Sequence, residues 1–112
     1  MAESVKLLDL DPKFLKRLDD TTFQHEGVSF ADADGIRFLC PKCWVANKGP
    51  VGTHIVICWG PHVPKTTPPV PGRWMLVGTG YEDLSLVAGS SSIQLTSGCM
   101  WHGFIKDGEA TL

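Results

Sequence analysis

The stretch GTHIVICW, Gly52–Trp59, decides how the rest of the chain is read. His54, Val56 and Cys58 fall on one side of an extended backbone, and Ile55, Ile57 and Trp59 on the other. The run is rich in β-branched residues, follows a turn-forming glycine and is too short for a helix, so it reads as a strand. Upstream, ADADGIRFLC (Ala31–Cys40) carries an Asp34-Gly35 turn signal and then Ile36, Phe38 and Cys40 at period two. FQHEGVSF, Phe23–Phe30, alternates around Gly27. Downstream, Arg73–Val77, Asp83–Val87 and Ser91–Thr96 read as three further strands separated by glycine turns. HGFIKDGEATL then closes the chain as a hairpin with Lys106, Asp107 and Gly108 at its tip. Between Gly60 and Gly72 run five prolines, which exclude a helix or a central strand and predict an extended connecting loop.

One helix is expected. In DPKFLKRL, Asp11–Leu18, the aspartate can cap, Pro12 suits the first helical position, and Phe14, Leu15 and Leu18 share a face. The expected fold is therefore mainly β: a small antiparallel sheet or sandwich-like domain with one short N-terminal helix. Its 112 residues make a single domain, with 1–22 as an N-terminal arm and helix and 23–112 as the β-rich core.

A chain of this size has a small core, to which a metal staple would add stability. The formal charge of −2, with acids and bases intermixed, argues against a duplex-binding surface. Neither a signal peptide nor a membrane span is legible, so the expected setting is cytosolic or intracellular, with no membrane partner. Thiols stay reduced in the cytoplasm, and paired cysteines there point to metal rather than a disulfide framework.

Two such pairs are present. CPKC, Cys40–Cys43, has the spacing of a zinc knuckle, whose turn aims two sulfurs at one point. CMWH, Cys99–His102, repeats that spacing between Gly98 and Gly103. Together they form a set of three cysteines and one histidine, Cys40, Cys43, Cys99 and His102, suited to one structural zinc ion. His54, at the start of the strand quoted above, is the reserve ligand. Cys58, four residues further along the strand, cannot join it at one ion and reads as a buried thiol. The zinc-deaminase pattern fails at both halves, since His25 begins HEG and Leu39 precedes Cys40. No phosphate-binding glycine loop is present either, so no catalytic residue or organic cofactor is assigned. The four tryptophans read as cover for the metal and filling for the core. The sharper alternative is a protein-docking surface at Trp101 and Arg73.

GIRFLCPKCWVANKGPVGTHIVICW, PGRWMLVGTGYEDLSL and SIQLTSGCMWHGFIKDGE together resemble a family of small proteins of tailed bacteriophages and prophages. The similarity runs from about Gly35 to Glu109, and CPxC with GCxWHGF is its most specific part. The resemblance implies a phage accessory protein with a zinc site at Cys40, Cys43, Cys99 and His102, and brings no activity with it. The function this implies is protein–protein interaction, virion-associated or in assembly, in the host cytoplasm or the virion, with a virion or host protein as partner. A host-directed inhibitor of defence is the alternative, and a zinc-dependent hydrolase or deaminase the second. Self-association stays open.

Overall fold

The computed structural model describes residues 4–69, 72–87, 93–95 and 99–111. In chain order its strands are β1 (Ser4–Lys6), β2 (Lys13–Arg17), β3 (Phe23–Gln24), β4 (Gly35–Leu39), β5 (Ile55–Trp59), β6 (Met75–Val77), β7 (Ser85–Val87), β8 (Ile93–Gln94), β9 (His102–Gly103), β10 (Ile105–Lys106) and β11 (Glu109–Thr111). One α-helix, α1 (Pro41–Asn47), lies between β4 and β5. A four-stranded sheet has the order β3-β2-β4-β5, and a three-stranded sheet the order β1-β11-β10. Two ribbons, β6–β7 and β8–β9, complete the fold. Every pairing is antiparallel, as expected for a mainly β domain.

The expected N-terminal helix is not formed: most of that segment is β2. Lys13, Phe14 and Leu15 pair with Arg37, Ile36 and Gly35 of β4. Phe14 joins the main core while Leu15 joins a second apolar cluster on the opposite face of the sheet. A helix would have gathered both residues on one stripe. Two turns of helix carry little stability of their own, so burial on two faces prevails. The helix sits instead at CPKC, which is not a reversal of the strand. Cys40 ends β4, and Pro41 occupies the first turn of α1, where its lack of an N–H costs nothing. Lys48, in the left-handed region at φ 57°, ends the helix by donating its N–H to the Trp44 and Val45 carbonyls.

The β4–β5 hairpin is the frame of the molecule. Cys40 N–H donates to the His54 carbonyl at 2.9 Å and Gly60 N–H to the Asp34 carbonyl at 2.7 Å. These bonds bracket a five-pair ladder from Gly35–Trp59 to Leu39–Ile55. Ile36, Phe38, Val56 and Cys58 enter the main core together with Leu7, Leu84 and Trp101. Trp101 crosses Phe38 edge-on at 6.1 Å and donates its indole N–H to the Thr111 carbonyl.

On the other face, Leu15, Trp59 and Val63 form the smaller cluster. Gly35 lies under Trp59, where an added Cβ would be 2.7 Å from the indole Cε3. Close approach, not a reverse turn, is therefore what requires the glycine of the Asp34-Gly35 pair. The proline-rich loop is tied across this cluster. Trp59 donates its indole N–H to the Pro68 carbonyl at 2.8 Å, and buried Thr67 accepts from Arg17 Nε at 2.7 Å while donating to Asp20.

The predicted strands downstream are present but shorter. β8 covers Ile93–Gln94, while residues 91, 92 and 96 of that segment lie outside the described residues. At the last hairpin Asp107 and Gly108 have φ of 51° and 77°, the two left-handed positions of a tight two-residue turn. Among the described residues no helix is long and apolar enough to cross a membrane.

Candidate metal centre

The end of the β4–β5 hairpin gathers four metal-ligating side chains. One donor atom each from Cys40, Cys43, His54 and Cys99 lie within 4.8 Å of one another. Cys40 follows β4, Cys43 lies one turn into α1, and His54 directly precedes β5. Antiparallel register sets Cys40 and His54 opposite each other, and the helix turns Cys43 back toward both. Cys99 arrives from the loop before β9, with its Sγ 3.4 Å from Cys40 Sγ and 3.2 Å from His54 Nε2. Lys42 donates from Nζ to the Cys99 carbonyl at 3.0 Å, fixing that loop to the helix. The sulfur separation is well beyond a disulfide's ~2.05 Å, and all four cysteines are free.

The sulfurs differ in their environments. Burial pushes the Cys40 thiol up to about 12, although the Cys43 N–H donates to it. Burial, with Cys99 beside it, also raises Cys43. At Cys99 desolvation acts upward too, but hydrogen bonds from His54, Cys40, the Trp101 N–H and Cys43 outweigh it and bring the thiol to about 6. One thiolate at neutral pH, cradled by donors and faced by two thiols and an imidazole, is a site that a cation can enter by displacing protons.

Three of the four expected ligands come together here, and the reserve ligand His54 takes the place of His102. The reason is strand alternation. Met100 turns through the left-handed region at φ 56°, Trp101 then buries its indole in the core, and His102 on β9 is exposed. The CMWH spacing thus mimics a knuckle while its histidine leaves the cluster. Gly98 lies outside the described residues.

The residues expected to meet a partner are also occupied. Trp101 is 1% exposed. Arg73 donates to the carbonyls of Val63, Pro64, Thr67, Pro69 and Gly72, so its guanidinium closes the proline-rich loop on itself. Cys58 is fully buried, and burial raises its thiol strongly. No family model, curated protein or solved structure matches the chain.

Proposed function

We propose that Cys40, Cys43, His54 and Cys99 hold one structural zinc ion, and that the stapled β domain works through protein–protein contact. The convergence of three sulfurs and one ring nitrogen carries this reading. Zn–S bonds of about 2.3 Å and Zn–N bonds of about 2.0 Å imply tetrahedral edges of about 3.8 Å between sulfurs and about 3.5 Å from sulfur to nitrogen. The Cys40–Cys99 and Cys99–His54 separations of 3.4 and 3.2 Å are within a few tenths of an ångström of those edges. Soft thiolates with an imidazole favour zinc over calcium or magnesium. Four protein donors leave no open position for substrate or water, which supports a structural role over the hydrolase or deaminase reading.

The wider role is that of a phage accessory protein, virion-associated or in assembly, and it rests on the CPxC and GCxWHGF resemblance. Cobalt substitution tests the metal assignment. Intense visible d–d bands with thiolate-to-cobalt charge transfer are expected for a four-coordinate site of three sulfurs and one nitrogen. A weak five- or six-coordinate spectrum would contradict it. Stoichiometric presence of the chain in purified particles is expected of the virion role, and its absence from particles removes that role.

A further inference from the structure

In the four-stranded sheet β5 is outermost, and its edge is only partly paired. The Cys40–His54 and Asp34–Gly60 bonds turn the even-numbered backbone groups of β5 toward β4. The N–H and C=O groups of Ile55, Ile57 and Trp59 therefore point off the sheet. Trp74 N–H already takes the Trp59 carbonyl at 2.9 Å, so the edge accepts a strand-like neighbour there. Among the described residues no strand pairs with Ile55 or Ile57 on that side. Such an edge is a template for another strand.

The outer face beside this edge carries its own signal. The proline-rich loop covers Leu15 and Trp59, but Ile57 is only half-buried and Ile55 is 45% exposed. On the same face Lys13 and Arg37 stand directly opposite each other in register. Like charges so placed destabilise a sheet. Lys13 has one long contact, 3.9 Å to Glu26, and Arg37 has no ion-pair or hydrogen-bond partner among the described residues. A half-buried, unpaired arginine amid aliphatic side chains is complementary to a carboxylate.

We propose that this edge docks an extended, acidic segment of a partner protein. The segment adds to β5 at Ile55–Ile57, lays aliphatic side chains on those two isoleucines, and presents a carboxylate to Arg37, with Lys13 one strand further on adding to the positive field. An added strand lies two strand spacings, about 10 Å, from β4. Glutamate and arginine side chains reaching over Ile57 from opposite sides close that gap. The proposal rests on the metal reading for its rigidity, because Cys40 and His54 terminate the hairpin that carries the edge, and pre-ordering an edge favours binding.

The test uses zinc-loaded, 15N-labelled full chain and an end-blocked eight-residue peptide, Glu-Thr-Val-Thr-Glu-Thr-Val-Thr, whose one face carries both Glu and Val, with the same peptide bearing Lys for Glu as control. Saturable shifts and slowed exchange at the Ile55 and Ile57 amides are expected with the Glu peptide alone. Arg37→Glu should weaken binding at least tenfold, and the milder Arg37→Ala severalfold. Equal binding of the Lys peptide, shifts centred elsewhere, or no saturable shift at millimolar peptide would overturn the proposal. So would a dimer abolished by Ile55→Lys, which would assign the edge to a second copy. Zinc is counted on the same samples. Loss of peptide binding with one zinc per chain retained bears on the docking edge alone, whereas wild-type chain without zinc bears on the metal reading.

Discussion

Cys40 and His54 face each other as a hydrogen-bonded pair at the end of the central hairpin, with Cys40 N–H donating to the His54 carbonyl at 2.9 Å. The ladder that builds the core thus also delivers two donors to one point. Cys43 is added by the first turn of α1, and Cys99 by a loop 59 residues beyond Cys40. An ion held there would tie strand, helix and distant loop together.

Metal binding should strengthen with rising pH, because protons and metal compete for the same sulfurs. At pH 7 Cys99 is already mainly thiolate, its thiol sitting at about 6, while Cys40 at about 12 and the raised Cys43 still carry protons. Zinc uptake at pH 7 is expected to displace two sulfur protons, rising toward three below pH 6. Calorimetry in buffers of different ionisation enthalpy counts them, and uptake without proton release would refute the thiol assignments.

Gly35→Ala should cost roughly 2 kcal/mol, the usual penalty for forcing a methyl into a packed site. The added Cβ would meet the Cys58 carbonyl oxygen at 2.6 Å and the Trp59 ring at 2.7 Å. Urea denaturation measures the loss. A variant within a few tenths of wild type would show that Trp59 does not hold its place over the glycine.

Arg73→Ala should destabilise by about 2 kcal/mol, a charged hydrogen-bond donor's contribution after allowance for solvent. Its guanidinium is the shared donor for five carbonyls of the proline-rich loop. Arg73→Lys should recover less than half, since an ammonium lacks the planar fork. Full recovery in that variant would argue that charge alone matters.

Acid should loosen the same loop. Hydrogen bonds from Thr67, Arg17 and Thr66 hold the Asp20 carboxyl down from 3.8 to about 2. A carboxyl lowered in the folded state stabilises fully above its unfolded value and loses that contribution as pH falls through the folded value. Asp20 therefore contributes above about pH 4 and fades toward pH 2. The drop in urea midpoint between pH 6 and pH 2.5 should be smaller in Asp20→Asn than in wild type, and an unchanged drop would remove Asp20 from the clamp.

The β5 strand, the closing hairpin and the buried Cys58 were legible in the sequence because each is set by local alternation or turn chemistry. The β2 segment was not. Phe14, Leu15 and Leu18 fit a helical stripe as well as a strand, and only the pairing of Lys13–Leu15 with β4 separates the two. The choice between His54 and His102 was likewise non-local. Spacing places His102 beside Cys99, but the inward turn of Trp101 sends His102 outward. Aligning GIRFLC against HIVICW in antiparallel register would have placed His54 opposite Cys40, and that pairing is the signal that spacing alone omits. The strands of Lys13 and Arg37 come together only in three dimensions, so no one-dimensional pattern announces the charged face.

The most direct test compares zinc content, by elemental analysis of untagged protein, in wild type, His54→Ala and His102→Ala. One zinc per chain is predicted for wild type and His102→Ala, with His54→Ala losing its zinc to a mild chelator and its cooperative melting with it. Zinc retained in His54→Ala but lost in His102→Ala would contradict the site, and wild type without zinc when freshly prepared and reduced would contradict the metal staple itself.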